Sequence, residues 1–235
     1  LEKKFRSYIG YIDVPYCHGM TVGELARFFN QEYKVGCKLT VIPMLRWKRS
    51  MTYADTGLTW IPTSPHIPEK DTPLYYATTG MMGELEMVNI GVGYTLPFKL
   101  VGAPWIHADE YAQKLNEQKL EGVTFIPFHF KPFYGRFKGE FCQGVLINIT
   151  NTKIYRPQKV QCVLLGLLKS LYPAHVKEKI QHLKPGKKTL FCKACGSEKI
   201  LTLMLQEEFP SWKMVDFQQN SMKDFHAKRK QYLLY

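Results

Sequence analysis

The 235-residue sequence contains no apolar run long enough to cross a membrane, since a spanning helix needs roughly 18 or more consecutive apolar residues. Residues 1–6 are charged and polar, so no signal peptide is visible. The 7 histidines are scattered, and the metal-binding spacings Glu-x-x-His and His-x-x-x-His do not occur. The sequence therefore predicts a chain with no membrane span and no metal site.

Patterns of several enzyme classes are also missing. Neither a Gly-x-Gly-x-x-Gly motif nor a Walker loop is present, which argues against nucleotide binding, and a serine-hydrolase Gly-x-Ser-x-Gly elbow does not occur. Cys192 and Cys195 form the only close pair among 6 cysteines, and a zinc ribbon needs a second pair. We expect no cofactor, and we interpret the cysteines as small buried side chains.

What is present is typical of a folded globular protein. Hydrophobic residues make up 45% of the chain and charged residues 22%, and the length suits one large domain or a domain with a small appendage. The net charge of +12 favours anionic partners such as nucleic acid, acidic lipid or acidic polysaccharide. Solubility alone would explain the charge equally well, so composition does not select a function.

The helix and strand signals predict an α+β fold. Thr21 and Glu24 form a capping-box pattern that begins a helix, and Gly36 is suited to end it. Pro157 opens a helix whose apolar residues form one broad face, and Pro173 follows its end. We predict a small mixed or antiparallel sheet or barrel with packed helices, and with the helices concentrated toward the C-terminus. The helix that begins at Pro157 is expected to pack on this sheet.

The expected elements can be placed along the chain. Residues 46–102 are rich in Gly, Pro, Thr and Trp, so we predict irregular loops without long helices there. Strands are expected at 39–44, 123–130 and 144–150, and helices at 22–35, 108–118, 157–171, 198–208 and 211–230, the last two capped by Ser197 and Ser211. Residues 1–180 are predicted to form the sheet-containing domain, and residues 181–235 a helical extension packed on it.

Several segments resemble one bacterial family, in order along the chain. They are His18-Gly19-Met20-Thr21-Val22-Gly23-Glu24-Leu25-Ala26, Trp47 with Arg49, Asp55-Thr56-Gly57-Leu58, Trp60-Ile61-Pro62-Thr63-Ser64-Pro65-His66-Ile67-Pro68, Pro97-Phe98, Gly102-Ala103-Pro104-Trp105, Gly139-Glu140 with Cys142 and Gly144-Val145, and Tyr232-Leu233-Leu234-Tyr235. The family is that of the exo-β-N-acetylmuramidases, and the resemblance covers nearly the whole chain.

The resemblance implies a two-part glycoside hydrolase of peptidoglycan turnover and muropeptide recycling. It would remove N-acetylmuramic acid from non-reducing ends of peptidoglycan fragments, in the periplasm or outside the cell. This chain would be the C-terminal part, which supplies one wall of the substrate cleft. The N-terminal Rossmann-like domain, with the main catalytic pair, would lie before Leu1. The implied partners are a peptidoglycan or muropeptide glycan and that N-terminal domain.

Eight residues are candidates for contact with the sugar. They lie in four loops that we predict to converge on one concave surface: Tyr16, His18, Trp47, Arg49, Ser64, His66, Glu84 and Tyr94. Glu84 follows a glycine and matches a family glutamate, so it is the best catalytic candidate in this chain, with a solvated loop carboxylate as the alternative. His18 could instead be a turn histidine bonded to the backbone.

Three loop positions depart from the family pattern, which has Arg, Thr and Asn where this sequence has Val92, Tyr94 and His66.

A second functional hypothesis is a non-catalytic module that binds glycan or nucleic acid. Residues 226–230 are basic and adjoin aromatic residues, as a phosphate-binding segment would. Family members end in similar basic residues, so a solvated helix end is the favoured interpretation and nucleic acid is not the expected partner.

Overall fold

The computed structural model describes the backbone of residues 1–235 and every side chain except that of Ser221. The elements are α1 Val22–Glu32, α2 Thr72–Gly83, β1 Leu100–Ala103, α3 Ala108–Glu117, β2 Val123–Phe130, β3 Cys142–Ile149, α4 Pro157–Leu171, α5 Pro173–Gln181, α6 Pro185–Cys195, α7 Lys199–Gln206 and α8 Ser211–Arg229. Three short 3₁₀ helices occupy Lys3–Phe5, Tyr53–Thr56 and Lys230–Tyr232. The predicted α+β class, with helices toward the C-terminus, is confirmed.

The sheet is antiparallel and has three strands in the order β1-β3-β2. β3 is therefore central, and it pairs with β1 at Gly102–Gly144 and with β2 at Val123–Ile149. The strand predicted at 123–130 is confirmed at both ends, and the one predicted at 144–150 occupies Cys142–Ile149. Helix α3 covers one side of β2 and β3, which buries Phe125 and Ile147.

Helix α4 forms the centre of the main core. It has the predicted bounds, and Val160, Val163, Leu164 and Leu168 are each at most 1% exposed. We expected it to pack on the sheet, but its nearest neighbours are helices α2, α3 and α8. Burial of such a face stabilises the fold by roughly 1.5–3 kcal/mol for each large apolar side chain.

Two predictions within residues 36–102 are wrong. No strand forms at 39–44, because these largely exposed residues have no strand beside them among the described residues. A 12-residue helix, α2, occupies Thr72–Gly83 where loops were expected. Its threonines are buried with their hydroxyls satisfied: Thr79 Oγ1 donates to the carbonyl of Phe98 at 2.9 Å, and Thr78 bonds Tyr155. Tertiary contacts thus outweigh a weak helix propensity.

The starts of the helices show which capping patterns in the sequence predicted the structure correctly. The capping box at α1 is confirmed, since Thr21 Oγ1 accepts from the amide of Glu24, and Glu24 Oε2 accepts from the amide of Thr21. Ser197 and Ser211 are not the capping residues, because the turns before α7 and α8 place Glu198 and Pro210 there. Helices α5 and α6 were not predicted, although each begins with a proline.

Residues 1–71 contain little regular structure beyond α1 and expose many apolar side chains. The large ones exposed are Tyr8, Ile9, Tyr11, Tyr16, Val22, Val35, Leu39, Ile42, Met44, Leu45, Leu58 and Ile61. Within the described part of the chain, no helix has both the length and the hydropathy to span a membrane.

Candidate functional site

A surface cavity lies between the segment before α2 and the connection that follows β3. Its volume is about 500 Å³, which is within the range of small-molecule sites. Consecutive residues 49–53 form one side, and Pro73 and Leu74 of α2 form another. The remaining lining residues are Trp60, Lys70, Thr152 and Lys153. Tyr53 packs edge-on against Trp60, with ring centroids 4.8 Å apart.

The lining residues include three cations and two side-chain nitrogens without a hydrogen-bond partner. Arg49, Lys70 and Lys153 supply three cations, and none of the residues described as lining is acidic. The side-chain nitrogens Arg49 Nε and Trp60 Nε1 are buried and have no hydrogen-bond partner among the described residues. The three cations suit the cavity to an anionic ligand.

Arg49 is held by two fixed acceptors. Its Nη1 donates to the carbonyl of Gly19 at 2.5 Å, and its Nη2 donates to Glu24 Oε1 at 2.5 Å. Glu24 is fully buried, and its carboxylate also accepts from the amides of Thr21 and Leu234. Burial raises the pKa of Glu24, but the hydrogen bonds from Leu234, Thr21 and Arg49 outweigh burial and leave the pKa lowered. Glu24 is thus charged at neutral pH and fixes the guanidinium.

His18 and Gly19 belong to the same cluster. Arg229 Nη1 donates to the carbonyl of His18 at 2.6 Å and to that of Gly19 at 3.3 Å. Gly19 has φ +60°, a backbone conformation that favours glycine, so any other residue there would strain the turn. Burial, and then the charge of Arg229, lower the pKa of His18, and its Nδ1 accepts from the amide of Met20. These contacts match the turn-histidine interpretation.

His66 and Tyr94 belong to a second cluster. His66 Nε2 lies 2.8 Å from the hydroxyl of Tyr134. The ring of Tyr94 stacks on Phe133, whose amide donates to the carbonyl of Gly93 at 2.7 Å. The loops around His66 and Tyr94 therefore meet across residues 133–134, whereas the loops around His18 and Arg49 meet at Gly19.

The buried Asn89 connects the Tyr94 loop to the sheet. Its backbone pairs with Gly102 of β1, and its side-chain nitrogen donates to the carbonyls of Val92 and Arg136. Its Oδ1 accepts from the amide of Gly91 at 2.7 Å. The position of this loop thus depends on the geometry of β1.

The other candidates lie apart from the cavity lining. Tyr16 is beside Tyr76 of α2, and burial, followed by that neighbour, raises the pKa of Tyr16. Ser64 is exposed, and its carbonyl accepts from the amide of Ile67 in a tight turn. Glu84 ends α2 and lies near Lys187, whose pKa is raised first by Glu86 and, more weakly, by Glu84.

Of the eight candidates, only Arg49 lines the cavity. Trp47 packs edge-on against Tyr235 outside it, with ring centroids 4.9 Å apart. Trp105, another aromatic of the family-like segments, stacks on His175. The convergence of all four loops on one surface, and the role of Glu84, stay predictions.

Sequence reasoning missed several lining residues. Tyr53, Lys70, Thr152 and Lys153 stand in no motif, and Lys153 follows Arg49 by more than a hundred residues. The described residues include no group of three or more His, Cys, Asp or Glu side chains arranged to hold a metal ion.

Two family models match the chain. The one described as exo-beta-N-acetylmuramidase NamZ, C-terminal, matches residues 74–235, and the one described as exo-beta-N-acetylmuramidase NamZ, N-terminal, matches residues 1–71. The expectation that the chain resembles only the C-terminal part is therefore wrong, because residues 1–71 match the N-terminal family. The cavity lies at this junction, with Arg49 on one side and Lys153 on the other.

Two relatives resemble the chain along its whole length. The peptidoglycan beta-N-acetylmuramidase NamZ of Bacillus subtilis (strain 168) is 33% identical over 235 residues, which are 100% of this chain and 55% of that protein. A crystal structure of a DUF1343 family protein from Bacteroides fragilis superposes with a TM-score of 0.92 at 35% identity, over 100% of this chain and 61% of that one. The chain thus spans little more than half the length of these relatives.

Proposed function

Because the chain belongs to the exo-β-N-acetylmuramidase NamZ family, we propose that it is a section of a glycoside hydrolase that removes N-acetylmuramic acid from non-reducing ends of peptidoglycan fragments. In this proposal, the section supplies one wall of the substrate cleft, and the cavity lined by Arg49 and Lys153 receives the sugar. The observation that carries the proposal is the set of three cations in a lining whose described residues include no acidic side chain.

The chemistry of the sugar fits this lining. N-acetylmuramic acid differs from N-acetylglucosamine by a lactyl ether, which ends in a carboxylate. Lys70 and Lys153 would attract that carboxylate in a partly enclosed site, and Arg49 can add one of its remaining N–H donors while Glu24 balances its charge. Trp60 and Tyr53 offer apolar ring surface for the sugar face. The cavity would therefore distinguish the two sugars by charge.

Hydrolysis itself needs two carboxyl groups on either side of the glycosidic bond. The described lining of the cavity contains none, and Glu84 lies at the end of α2 near α6. We therefore place the main catalytic pair outside this chain, in a longer protein of the bacterial cell envelope, and keep Glu84 as the candidate within it.

The exposed apolar surface of residues 1–71 fits the partner that this proposal requires. The part of the longer protein that lies outside this chain would cover side chains such as Ile42 and Leu45, which are 88% and 90% exposed. Residues 39–44, which form no strand here, would then gain a neighbouring segment to pair with.

The alternative of a nucleic-acid-binding module has weaker support. Within the basic segment 226–230, Arg229 donates to the carbonyls of His18 and Gly19, and Lys228 pairs with Glu32 at 3.3 Å. Two cations of this segment are thus committed to contacts within the chain, which reduces what it offers to phosphates.

Replacement of Lys153 with Gln tests the sugar site. Lys153 is exposed, so the substitution should leave the fold intact while it removes one lining charge. We expect affinity for N-acetylmuramic acid to fall about tenfold, and affinity for N-acetylglucosamine to change little, because only the first sugar is anionic. Tryptophan fluorescence titrations of both sugars measure this.

Lys177→Gln is the matched control, since Lys177 is an exposed lysine of α5 away from the cavity lining. Equal loss of sugar affinity in both variants would point to net charge rather than to the site.

For the reaction, a chromogenic muramic acid glycoside should be cleaved by the longer protein and not by this chain. Cleavage by this chain alone would refute our placement of the catalytic pair.

A further inference from the structure

Leu234 and Tyr235 lie against the segment that leads into the cavity. The amide of Leu234 donates to Glu24 Oε1 at 2.7 Å, and the same oxygen accepts from Arg49 Nη2. The hydroxyl of Tyr235 accepts from the amide of Met44 at 2.5 Å, and its ring packs edge-on on Trp47. These two residues, called the tail below, therefore hold the segment before Arg49. They also hold Glu24, which accepts a hydrogen bond from the Arg49 guanidinium.

Local structure gives the Arg49 segment little support of its own. Residues 36–52 contain neither helix nor strand, and Met44 and Leu45 are exposed. A segment with so few buried contacts is expected to open locally at low cost. Its position therefore depends on the long-range contacts that Glu24 and the tail provide.

We propose that Leu234 and Tyr235 are positioning residues that hold Arg49 in the orientation in which its guanidinium meets an anionic ligand of the cavity. The identity of that ligand, a carboxylate-bearing amino sugar, rests on the proposed function, whereas the positioning does not. If the tail is released, Arg49 spends less time in the binding orientation, and the apparent affinity falls by the same fraction.

Tyr235→Ala tests this in the whole chain. Hydrogen exchange of residues 44–53 should become about tenfold faster, while the α4 residues 157–171 exchange as before. Affinity for N-acetylmuramic acid should fall about tenfold with little change for N-acetylglucosamine. Tyr235→Phe keeps the ring on Trp47 and should restore part of both effects. Tyr8→Ala is the control, because that tyrosine is 100% exposed.

Two outcomes would overturn the inference. One is unchanged exchange of residues 44–53 in Tyr235→Ala and in a variant lacking Leu234 and Tyr235. The other comes from a double-mutant cycle that measures sugar affinity. If the effects of Tyr235→Ala and Arg49→Lys simply add, the two residues do not act through each other, because coupled residues give non-additive effects. If the unmodified chain binds neither sugar, the proposed function fails, and the exchange rates alone decide whether the tail positions Arg49.

Discussion

Replacing Glu24 with alanine is expected to lower the free energy of unfolding by about 3–5 kcal/mol. The substitution removes a fully buried carboxylate and leaves the guanidinium of Arg49 without its charged partner. The amides of Thr21 and Leu234 lose their acceptor as well. Each group left unsatisfied retains its desolvation cost, so the loss should exceed that of an ordinary surface ion pair. Chemical denaturation monitored by circular dichroism measures it.

Glu121→Ala is the control for this prediction, because Glu121 is an exposed glutamate and its removal should change stability by no more than about 0.5 kcal/mol. Similar losses for the two variants would show that the Glu24 contacts contribute little.

The pH dependence of stability gives a second measure of Glu24. Because its pKa in the folded state lies below the ordinary 4.5, Glu24 stabilises the fold above that pH, and the contribution is lost as pH falls through the folded pKa. Glu24→Gln should therefore lose less stability than the unmodified chain on acidification from neutral pH. An equal acid loss in both proteins would contradict this assignment.

Gly144→Ala is expected to destabilise the fold by about 3 kcal/mol, at the upper end for overpacked sites. A Cβ at Gly144 would lie 2.0 Å from the carbonyl oxygen of Val101 and 2.6 Å from the Cα of Gly102. Strand β3 is paired on both sides, so its backbone cannot move away from β1 without losing contacts with β2. Thermal unfolding measures the loss of stability.

Gly186→Ala is the matched control for the same substitution. Gly186 lies in the first turn of α6, and no atom is within 4 Å of the position that its Cβ would take. Alanine should therefore stabilise the protein by up to about 1 kcal/mol, because it restricts the unfolded chain and favours the helix. Opposite signs at the two glycines are the expected result, and a destabilised Gly186→Ala would contradict the argument.

The sequence predicted the elements whose signals are local. The broad apolar face of α4, its initial proline, and the reciprocal bonds of Thr21 and Glu24 all depend on residues within a few turns. Helix α2 was missed because its threonines are stabilised by Phe98 and Tyr155, which follow later in the chain. The segment 39–44 has strand-like composition, but a strand also needs a partner.

The site was predictable only where family motifs mark it. Arg49 was a candidate because it stands in such a motif, whereas Lys153 joins the cavity through packing that no spacing in the sequence indicates. Glu24 was interpreted as a capping residue alone. Its bonds to Arg49 and Leu234 span 25 and 210 residues, so they could not be inferred from the helix in which it lies.

The separation of 210 residues between Glu24 and Leu234 has a consequence for biosynthesis. A ribosome that adds about 5–20 residues per second needs roughly 10–40 s to translate this interval. During that time α1 can form with its own cap, but the carboxylate of Glu24 still lacks one of its donors, and the Arg49 segment lacks the tail. The cavity wall can therefore reach its final arrangement only after the ribosome has translated Leu234 and Tyr235.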